Sequence, residues 1–367
     1  MTFSKEILPG VPLIESPLFE QSIDQLGLTD AERAAALQLH ERGYALIRFP
    51  DAEVEARIDR IKRRLGPSFG VDFDDPSAIK NEAGDLRIQD AWKSDEDVRE
   101  IAANEQVLDL LSKLYGRRAF PFQTLNFPVG TQQGLHSDSI HFSSFPERFM
   151  CGVWLAFEDV TPEAGPLIYV PGSHKWPILS NAMIGRRGSD NPGNSAQQPF
   201  EDAWRALVSA SGIERERFLP KKGDALIWAA NLLHGGDQQI DNTLTRWSQV
   251  THYYFEDCVY YTPAFSDEHL GKLDLRQITN VATGQIEPNS WLGSPLPEAV
   301  PEVRVGQKKS FWPRKRASDR SDLEELPGDF DGNVYLSLHP DVAASRTDPA
   351  DHYLKHGRHE GRRYRNI

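Results

Sequence analysis

Five short runs decide the fold: FPFQTLNF (120–127), MCGVWLAFEDV (150–160), PLIYVPG (166–172), GDALIWAA (223–230) and TRWSQVTHYYF (245–255). Each is rich in aromatic or β-branched residues, and glycine or proline punctuates the chain between them. Strand-like runs at this spacing predict an antiparallel sandwich or barrel rather than alternating strand–helix–strand units. Outward from them, residues 29–66 read as helix, strand, helix. Thr29 is the expected N-cap of the first helix with Glu32 as its capping-box partner, and Gly43 is its stop. YALIRF (44–49) is the strand, and Asp51 is expected to cap a second helix that ends at Gly66. A third helix is expected over 97–115, with Val98, Ile101, Val107, Leu108, Leu111 and Leu114 on its buried face. Within the β-rich region, residues 178–219 break the pattern with a polar loop and a helix at Glu201–Ser211. Loops of this length are usually functional lids or disordered.

The chain has 367 residues, about two domains at roughly 150 residues each. Its apolar content of 39% suffices for a sizeable core and excludes disorder throughout. The longest apolar stretch, near Cys151–Phe157, falls far short of the ~18–20 residues that span a bilayer. Two cysteines, Cys151 and Cys258, make neither a disulfide framework nor a cysteine-rich zinc site. A net charge of −13 argues against binding nucleic acid through its phosphates. With no basic–apolar leader pattern at the start, the expectation is a soluble, cytoplasmic protein. The division read from composition is a catalytic domain over 1–265, a proline-bearing extension over 266–305, a charged linker over 306–329 and a small basic appendage over 330–367.

The chemistry lies in QTLNFPVGTQQGLHSDSIHF (123–142). His136 and Asp138 form an H-x-D pair in a strand-like stretch, where residues two apart share a face and converge on one cation. His234, just after the run GDALIWAA, is the best third ligand. Two histidines and one carboxylate make a facial triad suited to non-haem Fe(II). On the tripeptide alone, a histidine here is more often a hydrogen-bonded surface or core residue than a metal ligand. What tips the balance is Arg246 with Ser248 two positions on, expected to share a strand face. A guanidinium beside a hydroxyl suits the distal carboxylate of a dicarboxylate.

These motifs, together with VWLAFEDVTPEAGPLIYVPGSHKWP (153–177), resemble the phytanoyl-CoA dioxygenase family of Fe(II)/2-oxoglutarate oxygenases over residues 25–260. The resemblance implies a mainly β fold with flanking helices, a double-stranded β-helix (a jelly-roll, cupin-like barrel). It implies that His136, Asp138 and His234 hold Fe(II), that Arg246 and Ser248 bind 2-oxoglutarate, and that O2 is the second co-substrate. It also points to Asn126 as a polar co-substrate contact and Trp154 as an aromatic neighbour, while Gly165, Pro171, Gly172 and Ser173 match scaffold turns. Halogenases of the wider group carry glycine or alanine in place of the carboxylate, so Asp138 implies hydroxylation rather than chlorination.

The substrate is less legible. His141, Phe142 and Arg148, with Phe145 and Phe149, follow the ligand pair and are candidates for the cavity mouth or for packing of an irregular loop. The C-terminal segment, with VYLSLHPDVAA and DPADHYLKHGRHEGRRY, resembles a repeat of bacterial polysaccharide-biosynthesis proteins. A glycan, an activated sugar or a substituent of either is therefore the suggested substrate, with acyl-CoA or amino-acid hydroxylation as the alternative. Lys355, Arg358, Arg362, Arg363 and Arg365 make the tail a candidate docking site for an acidic partner or membrane surface. His352, His356 and His359 share a helical face, but poor carboxylate or cysteine company argues against a second metal site. Two competing classes remain. A non-catalytic jelly-roll binding protein would have no need of the triad, and a zinc hydrolase would leave Arg246 and Ser248 without a role.

Overall fold

The computed structural model describes residues 7–75, 77–78, 80, 87–188 and 197–296, and toward the C-terminus 326–327, 329–339, 342, 348–354 and 363–364. Two compact units divide the chain, 1–298 and 299–367. In the first, the helix Asp30–Arg42 begins with the expected capping box. Thr29 N–H donates to the Glu32 carboxylate at 2.7 Å, and Glu32 N–H donates to Thr29 Oγ1 at 3.3 Å. Gly43 ends it with φ +82°, a left-handed turn that glycine adopts without steric penalty. The chain then enters strand β1 (Tyr44–Arg48).

Two helical expectations need correction. The second helix spans Val54–Leu65 and its N-cap is Glu53, with no side-chain cap. Asp51 instead accepts from Glu53 N–H at 2.8 Å and Arg57 Nε at 2.9 Å. The single helix expected over 97–115 is two, Glu96–Ala102 and Glu105–Tyr115. Asn104 breaks it because its side chain accepts from the N–H groups of Gln106 (3.1 Å) and Val107 (3.0 Å), starting a new helix. Arg57, Arg60 and Arg64 then dock the second helix onto the third through Asp95 and Asp97, with Arg64 forked on Asp95 at 2.6 and 2.7 Å.

Nine further strands build the centre: β2 (Ile88–Gln89), β3 (Ala119–Phe127), β4 (Ser143–Phe145), β5 (Met150–Ala156), β6 (Leu167–Tyr169), β7 (Glu216–Phe218), β8 (Asp224–Ala229), β9 (His234–Gly236) and β10 (Ser248–Phe255). A tenth, β11 (Val259–Tyr261), pairs with β4. The main sheet runs β1-β8-β5-β10-β3-β2 with every neighbour antiparallel, and a second sheet runs β7-β6-β9. Strands β5 and β10 are buried along their whole length, because both faces of the main sheet are covered. The sequence of β5 accordingly reads as an apolar run without alternation, whereas β10 buries Ser248, Gln249, Thr251 and His252 among its apolar residues.

Side-chain parity assigns the two faces. Val153, Leu155, Ala225 and Ile227 join the core that packs against the helices. Trp154, Leu226, Trp228 and Val250 face inward, in a cluster with Leu167, Tyr169 and Phe218 of the second sheet. Register aligns the inward rows, with Trp154 opposite Val250 and Leu226, and Gly152 opposite Trp228 and His252. Gly152 is required there, since a Cβ at this position would overlap the Trp228 ring.

Residues 266–296, the described part of the extension expected over 266–305, are hydrogen-bonded into the first unit. Thr262 N–H donates to Asp274 O (2.9 Å), Arg276 N–H to Tyr260 O (2.8 Å) and Val281 N–H to Pro121 O (2.8 Å). Two short hairpins, 278–287 and 290–295, replace periodic elements, so the segment carries no helical or strand-length signal. The loop after β6 is tied down by Asn181, whose Nδ2 contacts the carbonyls of Pro263, Ala264 and Ser266 at 3.0–3.1 Å. Its helix begins at Gln198, three residues before the expected start.

The second unit has a small core of Tyr335, Val342 and Tyr353 with Phe330 packed against it. Asp331 caps its helix Gly332–Leu338. Most of the 306–329 linker lies outside the described residues, as do His356, His359, Lys355, Arg358, Arg362 and Arg365. Among the described residues, no helix is long and apolar enough to cross a membrane.

Candidate active site and metal centre

His136 and His234 are set side by side by their own backbones. Each donates its N–H to the other's carbonyl at 2.9 Å in an isolated antiparallel bridge at the edge of β9. The rings lie 4.5 Å apart, centroid to centroid. The close approach needs Gly235, where a Cβ would stand 2.6 Å from Gln133 O. His136 Nδ1 lies 2.9 Å from Gly134 O, and His234 Nδ1 lies 3.0 Å from Leu232 O. A carbonyl only accepts, so both Nδ1 atoms carry a proton and Nε2 is the position each ring can offer to a metal.

Asp138 completes the cluster as period two predicts. Ser137 between it and His136 is extended (φ −113°, ψ 133°), so the two side chains share a face, and the short 3-10 turn Asp138–Ile140 begins only there. His136 Nε2 is 3.9 Å from Asp138 Oδ1, and His234 Nε2 is 3.7 Å from Oδ2. One ligand atom from each residue lies within 4.8 Å of the others, and all three residues are buried. Burial pushes the His136 imidazole down to about 3, with the neighbouring His234 adding to the effect. Burial would raise the Asp138 carboxyl, but the imidazoles of His234 and His252 outweigh it and hold it well below the usual carboxylate range. Two imidazole nitrogens and an ionised carboxylate, aimed at one point, are a donor set that fits a divalent metal.

The cluster opens onto a cavity of about 480 Å³ that is also lined by Trp154, Trp228, Arg246 and His252. Arg246 does not share a strand with Ser248 as expected. It precedes β10, fixed by its N–H to Pro128 O at 2.8 Å, and β10 begins at Ser248. The Arg246 guanidinium is 2% exposed, and its Nε and Nη1 have no hydrogen-bond partner. Burial pushes its pKa down to about 10. The Trp154 ring lies 5.5 Å from it, a cation–π contact. Ser248 is fully buried with Oγ unpartnered, on the inward row with Val250, although it is not among the cavity-lining residues.

The other candidates separate. His141 and Phe142 line the cavity. Arg148 does not; it is clamped to Glu15 (2.6 Å) and to the carbonyls of His174 (2.7 Å) and Trp176 (3.2 Å). Its left-handed backbone, φ +73°, turns it away from the direction that sequence adjacency suggested. Phe145 is half exposed against Trp291, and Phe149 lies in the helix-side core. Asn126 faces the wrong side for a co-substrate contact. Its neighbours Leu125 and Phe127 line the cavity, whereas Asn126 Nδ2 donates to Gln249 Oε1 at 3.2 Å behind the sheet.

Several residues in the site carried no assignment from sequence. Trp228 Nε1 donates to Asp138 Oδ2 at 2.8 Å, and His252 Nε2 stands 3.6 Å from the same oxygen. His252 is held by Gln123 Oε1 at 2.9 Å from its Nδ1. Counting by two from Ser248 through Val250 reaches His252, so a register would have found it.

The phytanoyl-CoA dioxygenase (PhyH) family matches residues 39–240, more than half of the chain. The chain belongs to this family. Its members are Fe(II)- and 2-oxoglutarate-dependent oxygenases. A "probable phytanoyl-CoA dioxygenase" of Caenorhabditis elegans is 25% identical over 217 residues, 53% of this chain and 66% of that protein. The match thus spans just under two thirds of that relative. Among solved structures, the non-haem α-ketoglutarate-dependent carbocyclase SnoK from nogalamycin biosynthesis is similar, with a TM-score of 0.50 at 17% identity, over 68% of this chain and 94% of SnoK. The epimerase SnoN, solved with Fe3+, α-ketoglutarate and nogalamycin RO, has a TM-score of 0.48 at 21% identity, over 73% of this chain and 96% of SnoN. At these identities the structural likeness to SnoK speaks for the fold alone.

Proposed function

We propose that this chain is an Fe(II)- and 2-oxoglutarate-dependent dioxygenase that hydroxylates an unactivated C–H bond of a small molecule. In this reading the main sheet and the β7-β6-β9 sheet form the two walls of a double-stranded β-helix. The observation that carries it is the buried Arg246 guanidinium with unpartnered Nε and Nη1, opening onto the same cavity as the His136–Asp138–His234 cluster. A buried cation without a partner is costly, and the distal carboxylate of 2-oxoglutarate would meet that deficit bidentately. The unpartnered Ser248 Oγ nearby on the inward row supplies a further donor. A zinc hydrolase gives Arg246 nothing to hold, and a binding module has no need of the His136–Asp138–His234 cluster.

When bound, Fe(II) with 2-oxoglutarate and O2 supplies the oxidising power that turns C–H into C–OH, with succinate and CO2 as co-products. The chain's own residues hold and orient. His136 and His234 present Nε2 because their Nδ1 protons are committed to carbonyls. Trp228 donates to Oδ2 of Asp138 and so fixes the orientation of the carboxylate that would hold the metal. Trp154 braces the Arg246 guanidinium, and the three residues of the cluster are themselves buried. A glycan, an activated sugar or a substituent of either is the substrate suggested by the C-terminal segment, with acyl-CoA or amino-acid hydroxylation as the alternative.

The test is succinate release from iron-reconstituted protein. Asp138→Ala should abolish 2-oxoglutarate turnover, because the only carboxylate of the ligand set is removed. Undiminished succinate from that variant would sink the assignment.

A further inference from the structure

Arg276 comes from the segment beyond the family match, yet its side chain lines the same cavity as the ligand cluster. Its backbone is fixed on both sides, N–H to Tyr260 O at 2.8 Å and carbonyl to Asn289 Nδ2 at 3.0 Å. The guanidinium lies over the Phe142 ring, 4.8 Å from the centroid. Its polar contacts are weak and neutral: Nη1 reaches His141 O at 3.4 Å and Thr262 Oγ1 at 3.3 Å, and Nε is buried with no partner. Among the described residues no carboxylate pairs with it. The one carboxylate that lines the cavity is Asp138, which belongs to the ligand cluster.

A guanidinium held flat by an aromatic ring, fixed through its backbone and left without an acid is preorganised for an anion. The chain as a whole is acidic, with a net charge of −13, so this cationic lining is a local feature and not a reflection of composition. Arg246 already answers to the co-substrate.

We infer that Arg276 is a substrate-recognition residue and that the substrate carries a carboxylate. It binds this group while 2-oxoglutarate occupies Arg246. This rests on the oxygenase reading for the identity of the second ligand, and it narrows the substrate to an organic acid or an acid-bearing derivative. Arg276 acts by orienting the substrate through its acid group against Phe142, which places the remainder of the molecule toward the ligand cluster.

The test uses a matched pair of probes that differ only in charge, 4-fluorobenzoate and 4-fluorobenzamide. Their binding to the full-length protein, saturated with Fe(II) and 2-oxoglutarate under anaerobic conditions, is read by fluorine NMR line broadening. The expected result is saturable binding of the benzoate about tenfold tighter than the amide, the size of a charge-assisted hydrogen-bonded contact. Arg276→Gln should erase that preference and Arg276→Lys should keep part of it, with 2-oxoglutarate affinity unchanged in both. Equal binding of the two probes, binding of neither, or a preference that survives in Arg276→Gln overturns the inference. Failure of the protein to form an Fe(II)–2-oxoglutarate complex overturns the oxygenase reading, and with it the assignment of a second ligand to Arg276.

Discussion

Replacing Trp228 by phenylalanine separates the support of the metal ligand from the packing of the core. The indole N–H donates to Asp138 Oδ2 at 2.8 Å, and the two residues are 2% and 4% exposed. A hydrogen bond to a buried charge contributes about 1.5–3 kcal/mol. At about 1.4 kcal/mol per factor of ten, its loss should weaken Fe(II) binding roughly 10- to 100-fold, the range usual for residues that hold a metal ligand in place. The smaller ring also removes about 2 kcal/mol of buried apolar contact. That second loss lowers the stability of metal-free and metal-bound protein alike. Anaerobic Fe(II) titration at fixed 2-oxoglutarate measures the first effect, and urea unfolding of the metal-free protein measures the second. If Trp228→Phe lowers stability yet leaves Fe(II) affinity within twofold of the parent, the indole is only filling space and the reasoning fails.

Gly152→Ala should act on the same contact from the opposite strand, because its Cβ would overlap the Trp228 ring. A destabilisation of about 1–3 kcal/mol with weakened Fe(II) binding is expected, and an unperturbed variant would mean the indole has room to move. Arg148→Ala should destabilise by about 3–5 kcal/mol, since it strands the buried Glu15. Residual folded protein should turn over 2-oxoglutarate normally, and a stable variant defective only in turnover would return Arg148 to the substrate site. The metal-free protein should lose stability on acidification. Burial pushes His136 down to about 3 and His174 down to about 4, whereas an unfolded histidine takes up a proton near pH 6.5. The unfolded chain therefore binds more protons as pH falls below about 6.5, and each residue removes about 2 kcal/mol by pH 5. Urea unfolding at pH 7 and pH 5 checks this, and equal stabilities would contradict it.

Much of this site was legible as residue types, and less of it as geometry. His136, Asp138, His234 and Arg246, which line one cavity, were singled out because their chemistry is rare and their order along the chain is telling. The pairing of His136 with Asp138 was readable because Ser137 between them is extended, so period two holds across the pair before the 3-10 turn begins. Asn126 went astray because a strand assigned without its register cannot say which face a residue occupies. Arg148 went astray because sequence adjacency to the ligand pair says nothing about a left-handed backbone. Arg276 was invisible for the opposite reason. It sits among short hairpins with no periodic signal, and only the hydrogen bonds to Tyr260 and Asn289 bring it to the cavity. The capping box at Thr29 and Glu32 was fully readable because both partners lie within one turn of each other.

The most direct test of the central claim is anaerobic addition of Fe(II) and 2-oxoglutarate to the purified protein. The account predicts a weak visible charge-transfer band that saturates at one equivalent of iron and needs 2-oxoglutarate, and that is lost from Arg246→Met at 2-oxoglutarate levels that saturate the parent. No band in the parent protein, or one unaffected by Arg246→Met, would contradict it.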